Sequence, residues 1–170
     1  IKDDEKVNKL RYRVERLGVI AIATQQPMAS DLRTIIASIH IAIEMERMAD
    51  HASGIAAIVK EIASEPLLKP LIDVPRMAEI TCEMLHDALQ AFLNGDVSAA
   101  KATAKKDDEV DQLYDQVLRE LLTYMIQDPK NIQRATFLLW SAHGLERIGD
   151  RVTNVCERVI FAQTGKFKEF

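Results

Sequence analysis

The feature that most constrains this chain of 170 residues is internal repetition. Glu46-Arg47-Met48-Ala49-Asp50 recurs as Glu146-Arg147-Ile148-Gly149-Asp150. Upstream, Asp4-x-x-Val7-Asn8-x-Leu10 recurs as Asp107-x-x-Val110-Asp111-x-Leu113. One proline turn separates the two patterns in each copy, Gln26-Pro27 in the first and Asp128-Pro129 in the second. Two patterns in the same order around the same turn mark a duplicated supersecondary unit, residues 3–64 matching 106–164. Such units must stack, because a single hairpin cannot bury its apolar face alone.

The repeated unit reads as a pair of long helices. Val7, Leu10, Val14, Leu17 and Ala21 recur at spacings of three and four over residues 3–25. Pro27 then suits the first turn of a second helix, where its missing N–H is not needed; that helix carries the stripe Ile35, Ile39, Ala42, Ile43 to about residue 64. Residues 65–75, with Pro66, Pro70 and Pro75, form the one convincing linker. A helix follows over about 76–93, stopped by Asn94-Gly95. Asp96 caps a segment over about 97–127, and a last long helix runs from the Asp128-Pro129 turn to about residue 163. Apolar residues make up 48% of the chain and only 6 Gly and 5 Pro interrupt it, which favours long helices over a sheet.

The second copy is preceded by a helix that packs naturally as the first of three, and the first copy has no counterpart. The expected fold is all-α: two tandem three-helix bundles, residues 1–65 and 71–170, the first lacking its leading helix in this chain. The chain begins with Ile1 inside a helical pattern, so residues upstream are expected. The apolar stripes of the first two helices would then be partly uncovered, which favours self-association.

A net charge of −4 argues against nucleic acid as a main partner. No apolar run reaches the roughly 18 residues of a membrane span. Cys82 and Cys156 stand in no metal-binding spacing; they read as small core residues and suit a reducing cytosol.

Glu46 and Asp50 are four apart, so both carboxylates share one helix face, as do Glu146 and Asp150. Asp4 and Asn8 lie about 20 residues before their proline turn, and Glu46 and Asp50 a similar number after it. At about 1.5 Å per residue both patterns stand about 30 Å from the turn. In an antiparallel pair they meet at the same height, gathering Asp4, Asn8, Glu46 and Asp50 in one copy and Asp107, Asp111, Glu146 and Asp150 in the other. Like charges at this spacing repel, so something positive should compensate. Oxygen-rich clusters suit hard cations, or iron, manganese and zinc with bridging water. The alternative is a solvated rim balanced by Arg47 and Arg147. Asn8 is a poorer ligand than the Asp111 it matches, and His143, three before Glu146, is a candidate further ligand. No Gly-rich phosphate loop and no Ser or Cys with a placed base is present, and neither acidic pattern contains an E-x-x-H motif (Glu83-x-x-His86 lies outside both), which argues against an enzyme and against ferritin-like oxidase chemistry.

The stretches Met45-Glu46-Arg47-Met48-Ala49-Asp50-His51-Ala52 and Leu145-Glu146-Arg147-Ile148-Gly149-Asp150-Arg151-Val152-Thr153-Asn154 resemble the paired E-x-x-x-D signatures of the PhoU family. Gln26-Pro27-Met28-Ala29-Ser30-Asp31-Leu32-Arg33 and Asp108-Glu109-Val110-Asp111-Gln112-Leu113 are similar to it too, so the resemblance covers nearly the whole chain. It implies tandem three-helix bundles with divalent or trivalent metal ions (iron, zinc, manganese or magnesium) on the acidic faces. It also implies a cytoplasmic, commonly dimeric regulator that couples the ATPase subunit of the Pst phosphate importer to a phosphate-sensing histidine kinase and represses the phosphate-starvation response. Such a protein touches the membrane only through its partners. A carboxylate-bridged di-metal enzyme and a metal-independent helical scaffold stand as alternatives. The first would need an open redox site, and the second would hold no metal.

Overall fold

The computed structural model describes residues 4–64 and 66–170, with the Asp4 side chain outside the described part. Six α-helices account for nearly all of it: α1 (Asp4–Gln25), α2 (Ser30–Ile62), α3 (Asp73–Asn94), α4 (Val97–Ala104), α5 (Asp107–Gln127) and α6 (Ile132–Thr164). A 3₁₀ turn, Pro129–Asn131, leads into α6. Helices α1 and α2 form one antiparallel hairpin and α5 and α6 the other, with α3 and α4 packed against the second. No strand occurs among the described residues, as the composition predicts.

The helix ends follow local chemistry. Gly95 closes α3 in the left-handed conformation (φ 66°), and the Asp96 and Gly95 amides donate to Ala91 and Phe92 carbonyls. The Asp96 carboxylate then accepts from the Ser98 and Ala99 amides at 2.9 Å and starts α4. Helix α2 starts at Ser30, three residues beyond Pro27, because Gln26 (φ 48°) and Ala29 (φ 47°) take positive φ and extend the turn.

The segment expected as one helix over 97–127 is two, broken at Lys105-Lys106. Ala100, Thr103 and Ala104 are buried, and α4 packs on both α3 and α6. Lys106 Nζ holds Asp87 on α3 at 2.9 Å. The break leaves Asp107 at the first turn of α5, where the helix dipole favours negative charge.

Helix α6 is the axis of the fold. It packs against α2, α3, α4 and α5, and its most extensive partner is α2, from the other repeat. Ile41 and Met48 of α2 join a core built from Met77, Met84, Val117, Leu121, Leu138, Val152 and Val159. Polar ties cross the same joint: Arg151 Nη1 and Asn154 Nδ2 each lie 3.4 Å from Glu44 Oε2, and Arg33 Nε donates to the Ala162 carbonyl at 3.1 Å.

The α1–α2 hairpin is closed by a close approach at Gly18. A Cβ there would lie 2.7 Å from Ile39 Cδ1 and 3.2 Å from Ile35 Cγ2. Of the stripe expected on α1, Val7, Val14 and Ala21 are half-buried, whereas Leu10 and Leu17 are exposed together with Tyr12, Val19 and Ile20. Cys156 is buried as expected. Cys82 is not; it is exposed on α3 beside an apolar groove of about 430 Å³ lined by Met45, Met48, Ile55 and Leu85 among others. The expected linker is packed: Leu68 and Leu71 lie on the core, and Lys69 is buried in ion pairs with Glu120 and Asp73. Among the described residues no helix is long and apolar enough to cross a membrane.

Candidate functional site

The second acidic face forms where α5 begins alongside the middle of α6. Asp107 and Asp111 come from the first turns of α5, and Glu146 and Asp150 from one face of α6. The four carboxyls act on one another electrostatically. Burial, then Asp111, Asp150 and Glu146, push the Asp107 carboxyl up from 3.8 to about 7. Burial and then Asp150 raise Asp111. Glu146 is raised by burial and Asp150 against the opposing pull of His143 and Arg147.

Gly149 makes the close approach of Asp107 possible. A Cβ at this glycine would sit 2.4 Å from Asp107 Oδ1, so the carboxylate lies directly on the α6 backbone. Asp107 Oδ1 and Glu146 Oε2 are buried without a hydrogen-bond partner. Glu146 Oε2 stands 3.1 Å from Nδ1 of the exposed His143, but not in hydrogen-bonding alignment. His143 also faces the Tyr114 ring, with centroids 5.9 Å apart. An arginine neutralises the face at its rim, where Arg147 Nη1 meets Asp150 Oδ2 at 2.6 Å. Cys156 lies behind the face, its thiol pushed up to about 12 by burial and then by Asp107.

Orphaned buried oxygens, four carboxyls from two helices and a cradle that a methyl would fill suit a hard cation. Among the described residues no three His, Cys, Asp or Glu side chains already stand close enough together to hold a metal, so closure on a cation calls for side-chain rotation.

The first acidic face is built differently. Glu46 and Asp50 share one face of α2, with Glu46 half-buried and Asp50 exposed, and half-buried Asn8 comes from α1. The Asp4 side chain lies outside the described residues. A residue that the spacing argument passed over occupies this face: Arg11, one turn beyond Asn8. Its Nη1 lies 3.5 Å from Glu46 Oε1 and its Nε 3.5 Å from Glu15 Oε1, with the side chain only 21% exposed. Its guanidinium carbon is 4.5 Å from the centroid of the Tyr12 ring. At the matching place in the second repeat stands Tyr114, and where the second repeat has Gly149 the first has Ala49. The signal for Arg11 was the repeat itself, an arginine where the other copy is aromatic.

Comparison with known proteins agrees with this architecture. A family model described as "PhoU domain" matches residues 1–59 and 74–159. A phosphate-specific transport system accessory protein PhoU homolog from Aquifex aeolicus is 42% identical over 166 residues, 98% of this chain and 75% of the relative. Its counterpart from Deinococcus radiodurans is 38% identical over 162 residues, 95% and 76% of the two chains. The crystal structure of PhoU from Pseudomonas aeruginosa superposes with a TM-score of 0.92 at 34% identity, over 97% of this chain and 79% of that one. The PhoU structure from Streptococcus pneumoniae gives 0.91 at 30% identity, over 99% and 79%. Two repeats in tandem, the paired E-x-x-x-D signatures and the shared helical architecture lead to one assignment: the chain belongs to the PhoU family.

Proposed function

We propose that this chain is a regulatory accessory protein of a phosphate-specific transport system. It is a cytoplasmic adaptor that works through its helical surfaces and has no catalysis of its own. The observation that carries the reading is the near-full-length likeness to proteins named for that role. Its partners are the ATPase subunit of the importer and a phosphate-sensing histidine kinase, and its output is repression of the phosphate-starvation response. Helix-face and groove recognition serves such contacts. The exposed apolar side chains of α1 favour self-association as a homodimer.

A divalent or trivalent cation on the second acidic face completes the reading. Glu146, Asp150, Asp107 and Asp111 would hold it, and it would supply the positive charge that these carboxyls lack. Within the chain, Asp107 and Asp111 fix the start of α5 and Glu146 and Asp150 the middle of α6, so binding would clamp one helix to the other and stabilise the folded state by linkage.

The test is complementation. In a bacterium that lacks its own PhoU-type regulator and expresses phosphate-starvation genes constitutively, this chain should restore repression in high phosphate. It should also be retained by the immobilised importer ATPase subunit. Unaltered constitutive expression together with no retention would refute the regulatory reading.

A further inference from the structure

The two acidic faces descend from one duplicated pattern, and three of the places at which they differ each remove from the first a feature that favours a cation. Asn8 stands for Asp111, a neutral amide for a carboxylate. Ala49 stands for Gly149, so a methyl occupies the position that in the second repeat lets Asp107 lie on the helix backbone. Arg11 stands for Tyr114 and puts a guanidinium 3.5 Å from Glu46, inside the hairpin. Arg147 does not account for the asymmetry, because the first repeat carries Arg47 at the same place; both belong to the repeated motif.

A guanidinium does part of the work that a metal does at such a face. It offers fixed positive charge and several donors to carboxylate oxygens, and it cannot lose its charge by deprotonation. A metal ion entering beside Arg11 meets like charge at short range in a partly desolvated setting, where repulsion is poorly screened. Arg11 lies 3.5 Å from Glu15 of its own helix and 3.5 Å from Glu46 of α2, and its buried Nε has no hydrogen-bond partner among the described residues.

We propose that Arg11 is the built-in counter-ion of the first acidic face and closes that face to metal, so that any cation this chain takes up sits at the second face alone. The siting half of this inference rests on the cation reading above; the closure by Arg11 does not.

The experiment measures Mn2+ binding to chelator-treated full chain by equilibrium dialysis, with Mn2+-induced change in Tm as a second readout. The variants are Glu46→Gln/Asp50→Asn, Glu146→Gln/Asp150→Asn, Arg11→Lys, Arg11→Gln and the triple Asn8→Asp/Arg11→Tyr/Ala49→Gly, which copies the second face into the first. The unaltered chain should bind Mn2+, lose it in Glu146→Gln/Asp150→Asn and keep it within about twofold in Glu46→Gln/Asp50→Asn. The triple variant should roughly double the bound Mn2+, and Arg11→Lys, which keeps the charge, should stay at the level of the unaltered chain. If the triple variant fails to fold, Arg11→Gln decides instead, and it should show a larger Mn2+-induced rise in Tm than the unaltered chain. Mn2+ lost when Glu46 and Asp50 are neutralised would overturn the proposal. So would no gain in the folded triple variant, or an equal Tm shift in Arg11→Gln. If the unaltered chain binds no Mn2+ but the triple variant does, the cation reading of the second face fails while the closure by Arg11 stands.

Discussion

Leu10 and Leu113 occupy the same position of the same repeated pattern, each three residues beyond a valine, yet Leu10 is 58% exposed and Leu113 7%. The local sequence does not separate them. What separates them is that α3 lies against α5, and no described helix lies in the corresponding place against α1. A side chain's burial is thus a property of the elements that arrive from elsewhere in the chain, not of the stripe in which it is written. The acidic faces repeat the lesson in reverse: similar motifs meet different visitors, a guanidinium in one and a bare glycine backbone in the other.

The contrast is open to attack at several strengths. The largest effect should come from Leu121→Ala, which empties a fully buried position on α5 and should cost about 2–5 kcal/mol in urea denaturation. Leu17→Ala, on the open side of α1, should stay within about 0.5 kcal/mol. Comparable losses at the two sites would mean that α1 is covered after all, for example by a second copy of the chain. Next comes the joint between repeats. Arg151→Met leaves the largely buried Glu44 with only Asn154 for company and should lower stability by about 1–3 kcal/mol in the same assay.

A titration sharpens the comparison further. The Asp107 carboxyl is raised in the folded chain from 3.8 to about 7, so in that window the folded state binds more protons than the unfolded one. Stability of chelator-treated protein should therefore fall as pH rises from about 4 to about 7, a trend that Asp107→Asn should flatten. Thermal denaturation across that range checks the sign; a rise through the window would contradict the burial of this carboxyl. A small effect is expected at Ala49→Gly, which should cost only the helix propensity of about 0.5–1 kcal/mol by thermal melting. A larger loss would mean that the Ala49 methyl makes packing contacts of its own on the first face.

Much of this was readable beforehand. Periodicity, prolines and the Asn94-Gly95-Asp96 stop-and-cap located most helices, because those signals act within a few residues. The break at Lys105-Lys106 was not readable: neither residue is a helix breaker, and the bend follows from α4 packing on α3 and α6. The exposure of Cys82 was hidden for a similar reason, since it depends on where α2 and α3 part. Of the second acidic face, all four carboxylates came from the repeat, but the part played by Gly149 needed the actual distance between α5 and α6. On the first face the E-x-x-x-D motif marks Glu46 and Asp50 on one side of α2, whereas Arg11 carries no oxygen and so stands outside any pattern of oxygen ligands.

The pairing of α2 with α6 also bears on how the chain acquires its structure in time. Helices α3 to α6 are near neighbours in sequence and can find one another through short loops, whereas α2 must wait for a partner more than half the chain away. The α1–α2 hairpin, with Ile41 and Met48 still unsheltered, should therefore be the last part to become protected from hydrogen exchange and the first to open. A proteolytic cut between α2 and α3 should leave the two pieces associated, because separating them would uncover the face that α6 offers to α2.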